Sequence, residues 1–224
     1  MITVVDVETT FVRDKTEKLD PSPFQKDNKL VSVGIGSEYF CMYHNEHTDF
    51  NVKQNHEAIQ EILNKTKLLV GHNLKFDLAW LYECGFKYEG RVYDTMIAEY
   101  VLLRGLKKKL SLKEICKRRH ITQKSDIIDT YLKQDIGFET IPWNVVEKYG
   151  RQDVKATQSL IDDQLKDLKL PRNKNLIATL KMMNEFLLSL IEMERNGIYV
   201  DKNTLEEVEK EFIKEHEELR TYID

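Results

Sequence analysis

The order of the apolar runs along the chain constrains its fold more than any other feature of the sequence. The first runs have strand length and are rich in β-branched residues: ITVVDVE, then KLVSVGIG and EYFCMYH, which meet at a tight turn at Gly36 and Ser37. Later runs alternate between strand and helix: KLLVGH, LKFDLAWLYECG, RVYD and TMIAEYVLL. The sequence therefore predicts a mixed sheet of three antiparallel strands followed by parallel strands, with helices flanking it.

The remaining segments are predicted as a loop and as helices. Residues 11–29 are polar and include Pro21 and Pro23, which indicates an exposed loop rather than a strand or a helix. From Gln54 onward, Ile59, Ile62 and Leu63 recur at helical spacing, and the whole chain after Ser111 has a helical pattern.

The chain of 224 residues suits one main domain and a smaller appendage. A helical run stops near Pro171, and a new apolar helix is predicted from Leu176 to Asn196, closed by Gly197. A last helix follows from Asn203, with apolar residues spaced for one face. We expect a main domain over residues 1–170 and a C-terminal helical extension over residues 171–224, which looks incomplete.

Charge and cysteine usage restrict the cellular setting. The formal net charge is -4, so contact with nucleic acid would depend on a local basic patch. Three cysteines without a CxxC pair suit reduced thiols better than a disulfide framework. No apolar stretch has the length of a membrane span, and the N-terminus does not resemble a signal peptide. We expect a cytoplasmic protein without membrane partners.

Four acidic residues stand in segments that the predicted sheet would bring together. Asp6 and Glu8 leave the same face of the first strand, where a solvated pair is the alternative interpretation. Asp77 lies one helical turn after Asn73, which could cap that helix, and the alternative is a cap beside a surface acid. Asp153 lies one turn after Tyr149 in a long helix, where a core-edge tyrosine beside an exposed acid is the alternative.

Together these segments favour a metal site. Carboxylates that converge repel one another by several kcal/mol per close pair at an effective dielectric of about 20, and a divalent cation removes that repulsion. Ligands that offer only oxygen favour Mg²⁺ or Mn²⁺ over zinc. His44 and His47 could also be interpreted as metal ligands, but they stand at the end of a strand without partner ligands.

In these motifs the sequence resembles the proofreading 3′-5′ exonuclease domain of family A DNA polymerases, in the tyrosine-bearing subgroup of the DEDD superfamily. VVDVETT, VGHNLKFDLAWL and YGRQDVKAT resemble its three exonuclease motifs, in the same order. MERNGIYVD resembles the start of the polymerase module, so the resemblance covers almost the whole chain. It implies a ribonuclease H-like fold. Because little sequence precedes the first strand, the chain resembles phage-type enzymes, which would act in the host cytoplasm.

The resemblance also implies a mechanism and its residues. Two divalent ions, Mg²⁺ or Mn²⁺, would clamp the scissile phosphate of a single-stranded DNA 3′ end. By resemblance Asp6 bridges both ions, Glu8 and Asp153 complete one of them, and Asp77 supports the other through water. Tyr149 would orient the attacking water, assisted by Glu8. The polymerase module would be a partner in cis or on a separate chain, since the palm carboxylates of a polymerase are missing here.

Further residues are candidates for DNA contact. Phe11 or Val12 could wedge against the terminal base, with core packing as the alternative, and Asn73 resembles a position that contacts the substrate strand. Between Arg104 and Arg119, eight Lys or Arg residues stand against the single acid Glu114. Lys107, Lys108 and Lys109 are the clearest candidates for phosphate contact, and a solvated face is the alternative.

Two other functions are compatible with the same sequence. A stand-alone exonuclease that trims RNA would use the same carboxylates, although the polymerase-like tail from Leu176 argues against it. A catalytically silent module that binds DNA or recruits a partner through its last helices is the second alternative. Digestion of DNA beside RNA, with and without metal, separates these functions.

Overall fold

The computed structural model describes residues 1–13, 18–121 and 127–223. Parts of two predicted segments, residues 14–17 of the loop and 122–126 of the helical region, lie outside the described residues. The strands are β1 (Ile2–Thr9), β2 (Val12–Arg13), β3 (Leu19–Asp20), β4 (Leu30–Ile35), β5 (Glu38–Cys41), β6 (Leu68–Gly71) and β7 (Arg91–Asp94). The helices are α1 (Val52–Lys65), α2 (Leu74–Glu83), α3 (Thr95–Leu102), α4 (Leu112–Arg118), α5 (Ile127–Leu132), α6 (Trp143–Leu168), α7 (Leu176–Asn196) and α8 (Lys202–Ile223), with a short 3₁₀ helix at Pro171–Asn173.

Strand β1 is the centre of a five-stranded sheet in the order β5-β4-β1-β6-β7. It pairs antiparallel with β4, which pairs antiparallel with β5 across the turn at Gly36 and Ser37. On its other side β1 pairs parallel with β6, and β6 pairs parallel with β7. The predicted mixed sheet, antiparallel first and parallel afterwards, is confirmed.

Helices cover both faces of this sheet, and the side chains of β1 alternate between them. Val5 and Val7 belong to a core that includes residues of α1 and α2, whereas Val4 belongs to a core with residues of α3 and α6. Because successive strand residues point to opposite faces, Asp6 and Glu8 lie on the same face as Val4, which is the α6 face. The topology therefore brings two acids of β1 towards the helix that carries Asp153.

The sequence predicts a loop for the segment 11–29, but the structure also has two short strands there. Val12 pairs with Asp20 and Arg13 with Leu19, so β2 and β3 form a small antiparallel sheet. Two residues per strand are too few to give a periodic pattern, which is why the sequence does not reveal them. The indole Nε1 of Trp80 donates a hydrogen bond of 3.0 Å to the Pro21 carbonyl and fixes the segment to α2.

The chain divides into two compact units, Met1–Ile191 and Glu192–Asp224. The division falls inside α7 rather than at the expected boundary after residue 170, because Leu180, Leu187 and Ile191 of α7 are buried in the cores of the first unit. In the second unit, α8 exposes a row of large apolar side chains: Leu205, Val208, Phe212, Ile213 and Leu219. Where an exonuclease domain ends functionally stays a prediction.

Among the described helices, none combines the length and the low charge that crossing a membrane requires. Cys41, Cys84 and Cys116 form no disulfide bond.

Candidate functional site

Asp6 and Glu8 lie near the carboxyl end of β1, and both side chains are half-buried. Asp6 is opposite Gly34 of β4, and Glu8 is opposite Ser32. The register between the two strands shifts between Glu8 and Thr9, so the regular pairing stops directly after the second acid. The two acids therefore lie next to the point where the regular pairing of β1 with β4 ends.

Helix α6 brings a third acid to this position. Asp153 is buried, and one ligand atom each of Asp6, Glu8 and Asp153 can be chosen so that all three lie within 4.8 Å of one another. We call these three residues the acidic cluster. Their oxygens are the donor type that Mg²⁺ and Mn²⁺ prefer, and their mutual repulsion without a cation costs free energy. The donor set and its spacing thus fit a divalent metal ion.

Asp77 stands beside the acidic cluster. It lies in the first turn of α2, is buried, and accepts a hydrogen bond of 3.0 Å from the backbone N–H of Val7, the residue between the two acids of β1. Burial, and after it the charge of Asp6, raises the pKa of Asp77 well above its usual value. The four predicted carboxylates are therefore in one neighbourhood, although they come from three separate segments.

Tyr149 is buried in the same neighbourhood, one helical turn before Asp153. Its hydroxyl forms a hydrogen bond with Asp153, and its pKa is raised first by burial and then by the charges of Glu8, Asp153 and Asp6. The phenol consequently stays protonated at neutral pH. It can donate or accept a hydrogen bond, but it cannot act as a base in its anionic form.

Asn73 does not cap α2 with its side chain, contrary to the expectation from sequence. Its backbone has φ 61° and ψ 44°, in the left-handed region, and the side chain forms no capping hydrogen bond. The first donors of α2 instead go to Asp94, which accepts from the N–H of Asn73 at 3.2 Å and of Leu74 at 2.9 Å. The left-handed conformation turns the chain sharply between β6 and the helix that carries Asp77.

Asp94 is a residue of this region that the sequence motifs do not reveal. It also caps α3, because it accepts from the N–H of Met96 at 2.8 Å and of Ile97 at 3.3 Å. One buried carboxylate thus closes the N-termini of two helices. The cap of α3 is visible in the sequence as an Asp directly before an apolar helix, but the cap of α2, some twenty residues earlier in the chain, carries no local signal.

Tyr39 supports the position of α6. Its hydroxyl forms a hydrogen bond of 2.8 Å with Ser32 and donates to the Val146 carbonyl at 3.4 Å. A Cβ atom added at Gly150 would lie 2.5 Å from the Tyr39 ring carbon Cζ, so the ring occupies the space that a side chain would need. Gly150 follows Tyr149 directly, and its lack of a side chain lets α6 approach β5.

The basic segment between Arg104 and Arg119 is only partly available to a ligand. Arg118 and Arg119 form ion pairs of 2.9 Å and 2.7 Å with the buried Glu99. Arg119 also pairs with two acids of α6, Asp163 and Asp167. Arg104 donates to Asn173 at 2.7 Å, and Lys113 pairs with Asp129 at 3.5 Å. By contrast, Lys107, Lys108 and Lys109 are exposed and line an open pocket.

Three other candidates are placed as follows. Phe11 is half-buried between β1 and β2. His44 binds the Ile141 carbonyl through Nε2 at 2.8 Å, and the His47 ring stacks on Trp143 with centroids 5.0 Å apart. In the part of the chain that the structure describes, these histidines belong to no group of potential metal ligands.

Comparison with known proteins gives a consistent result. A family model described as 3′-5′ exonuclease matches residues 15–169, which include Asp77, Tyr149 and Asp153 and begin after Asp6 and Glu8. DNA polymerase I of Borreliella burgdorferi is 27% identical over 182 residues, 79% of this chain and 20% of the relative. A DNA polymerase of Bacillus phage SP01 is 25% identical over 234 residues, 95% of this chain and 25% of the relative. The chain thus spans a fifth to a quarter of the length of these curated relatives.

Solved structures agree on the fold. NrnC of Brucella melitensis with bound Mg²⁺ superposes with a TM-score of 0.59 at 20% identity, over 88% of this chain and 86% of that one. At this identity the likeness concerns the fold alone, and it confirms the ribonuclease H-like architecture.

Proposed function

This chain belongs to the 3′-5′ exonuclease family of DNA polymerase A, and on that premise we propose that it removes nucleoside monophosphates from single-stranded or frayed DNA 3′ ends. The single observation that carries the proposal is the acidic cluster, in which three carboxylates from β1 and α6 offer ligand atoms within 4.8 Å of one another. Such a group of oxygen donors at a strand end suits the hydrolysis of a phosphodiester bond with divalent metal ions.

The residues of the site have distinct proposed tasks. Asp6, Glu8 and Asp153 would hold two divalent ions, Mg²⁺ or Mn²⁺, with Asp77 in support. When bound, such ions neutralise the charge of the scissile phosphate and make water a better nucleophile. Tyr149, which stays protonated, orients the attacking water through its hydroxyl. Glu8 assists by accepting a hydrogen bond from the same water, and its charge already acts on the Tyr149 hydroxyl.

Two further residues are proposed to contact the DNA strand. Phe11 directly follows the region of the two acids on β1, where a half-buried ring can pack against the terminal base. Asn73 is exposed at the start of α2, one turn before Asp77, and its side chain is not used as a helix cap. It is therefore available to bind the substrate strand.

The proposed setting is DNA replication, with the exonuclease correcting the ends that a polymerase makes. Two of the relatives are named as DNA polymerases, and the chain spans only a part of their length. A polymerase module, in cis or on a separate chain, is accordingly the proposed partner, and polymerase activity belongs to that module. A cytoplasmic location, in the host if the source is a phage, is part of the same proposal.

Digestion of labelled oligonucleotides tests the function. A 5′-labelled single-stranded DNA and the matching RNA are incubated with Mg²⁺, Mn²⁺ or EDTA, beside DNA duplexes with a paired or a mismatched 3′ end. We expect the single-stranded DNA to shorten in steps of one nucleotide from its 3′ end, only with metal, and the mismatched duplex to be cut faster than the paired one.

Two results would replace this proposal by one of its alternatives. Faster shortening of RNA than of DNA would indicate an RNA-trimming exonuclease. Absence of metal-dependent cleavage of either strand, together with unchanged DNA binding in Asp153→Ala, would indicate a silent binding module.

A further inference from the structure

An open pocket of about 550 Å³ lies between the end of α3 and the segment that follows it. Its lining includes Tyr100 of α3 and the consecutive residues Leu106, Lys107, Lys108 and Lys109. We call it the lysine pocket. It belongs to neither the acidic cluster nor the core of the sheet.

The charge of the lysine pocket is unbalanced. Among the residues that the structure describes, no acid lines it, and its three lysines are exposed. Arg118 and Arg119, two other basic residues of the segment, instead form ion pairs with Glu99. Three consecutive like charges repel one another, and a polyanion that lies along them would relieve the repulsion and release counterions.

The pocket also offers apolar surface beside its charges. Tyr100 has 53% of its surface exposed and Leu106 has 65%, although the neighbouring residues Ala98 and Val101 of α3 are buried in the core. An exposed aromatic ring next to lysines is the combination with which proteins hold single-stranded nucleic acid, since bases stack on the ring while the lysines contact phosphates.

Hydrogen bonds hold one end of the lysine pocket, at Lys109 and Leu110, near the sheet edge where the acidic cluster lies. His72 follows β6 directly, and its Nε2 binds the Leu110 carbonyl at 2.9 Å, while Arg118 donates to the Lys109 carbonyl at 3.2 Å. Strands β1 and β6 are parallel, so the carboxyl ends that carry Glu8 and His72 lie on one edge of the sheet. The segment 105–110 thus ends at a residue bound to His72, directly after the strand next to β1.

We propose that the lysine pocket binds the stretch of single-stranded DNA that lies 5′ of the terminal nucleotides. Lys107, Lys108 and Lys109 contact its phosphates, and Tyr100 stacks on one of its bases. This inference rests on the proposed function, since it assumes that the 3′ end of the same strand lies in the acidic cluster. It predicts that the pocket matters for long strands and not for very short ones.

Binding measured without divalent metal tests the proposal independently of cleavage. The dissociation constants of a fluorescent single-stranded DNA 15-mer and of a trinucleotide are measured by anisotropy at several salt concentrations. In Lys107→Ala/Lys108→Ala/Lys109→Ala we expect at least about a tenfold loss of affinity for the 15-mer, and a slope of log affinity against log salt that is smaller by about 2. Tyr100→Ala should weaken 15-mer binding at least about fivefold with an unchanged slope. Affinity for the trinucleotide should stay the same in both variants.

The matched control is Lys65→Ala/Lys67→Ala/Lys87→Ala, which removes the same charge near the amino ends of β6 and β7, at the opposite edge of the sheet. The proposal would be overturned if this control lost as much affinity for the 15-mer, or if the lysine variant lost as much affinity for the trinucleotide. It would also be overturned if the lysine substitutions left 15-mer binding unchanged, or if the unsubstituted chain did not bind the 15-mer measurably. A failure of the proposed function gives a different result. The unsubstituted chain then cleaves neither the 15-mer nor the trinucleotide, whereas the binding results stay as predicted.

Discussion

The hydroxyl of Tyr149 lies where burial and three carboxylates all favour its neutral form. A phenol whose pKa is raised in this way keeps its proton at neutral pH, so it contributes a hydrogen bond as a neutral group. The proposed use of that hydrogen bond is to hold the attacking water. Removing the oxygen atom alone, without the ring, isolates this contribution.

Tyr149→Phe should lower kcat for single-stranded DNA by roughly 10²-fold, the lower end of what a positioned proton donor or acceptor contributes, and leave KM nearly unchanged. Steady-state cleavage of a DNA 15-mer measures both constants. Tyr43→Phe, which removes an exposed hydroxyl bonded to Asn45, is the matched control. A kcat within a factor of about two of the control would exclude the proposed role of Tyr149.

The contact between Tyr39 and Gly150 sets how closely α6 packs on the sheet. Gly150→Ala places a methyl group against the Tyr39 ring. Because two hydrogen bonds, with Ser32 and Val146, restrain this ring, the free energy of unfolding should fall by about 1 to 3 kcal/mol. In the background of Tyr39→Ala the same substitution should cost nothing, because alanine favours the helix over glycine. Urea denaturation of the unsubstituted chain, the two single variants and the double variant gives the coupling free energy between the two substitutions. Equal costs in both backgrounds would contradict the packing argument.

At the scale of elements, α2 and α3 begin at the same carboxylate. Asp94 accepts four backbone N–H groups, two from the start of each helix, and its own N–H donates to Asn184 of α7 at 2.8 Å. Burial raises the pKa of Asp94, whereas these hydrogen bonds oppose that rise. The four donors therefore offset part of the cost of burying a charge and fix the helix that carries Asp77.

Asp94→Ala should lower the free energy of unfolding by at least about 2 kcal/mol, since two helices lose a cap worth roughly 1 kcal/mol each. Asn51→Ala is the control, because Asn51 caps only α1, through one hydrogen bond to Gln54, and should cost about half as much. Urea denaturation compares both variants with the unsubstituted chain. A cost for Asp94→Ala no larger than for Asn51→Ala would refute the double cap.

The elements differ in how far the sequence reveals them. Strands β1, β4 and β6 and helices α2, α6 and α7 have patterns long enough to predict, and α7 has the predicted bounds from Leu176 to Asn196. The short pair β2 and β3 has no such pattern. The sequence indicates that Asn73 could cap α2, but its side chain forms no such cap, because capping depends on the backbone conformation and on competing acceptors such as Asp94 from another strand. The contact of Asn73 with DNA stays a prediction.

At the scale of the whole molecule, the neighbourhood of the four carboxylates follows from topology that the sequence already indicates. Asp6 and Glu8 share a face of the central strand, and α6 covers that face. Three features depend on long-range packing and are not predictable from local patterns. They are the support of α6 by Tyr39, the use of Arg118 and Arg119 in ion pairs with Glu99, and the burial of α7 in the first unit.

The central claim is that the acidic cluster carries metal-dependent cleavage, and the rate of DNA shortening in variants of α6 and β1 tests it most directly. Asp153→Ala is compared with Asp162→Ala, which removes an exposed acid from the same helix, and Asp6→Ala is measured beside them, all with Mn²⁺ and with circular dichroism to verify folding. We predict that Asp6→Ala and Asp153→Ala abolish cleavage, whereas Asp162→Ala cuts at the unsubstituted rate. Full activity in a folded Asp6→Ala or Asp153→Ala chain would contradict the account.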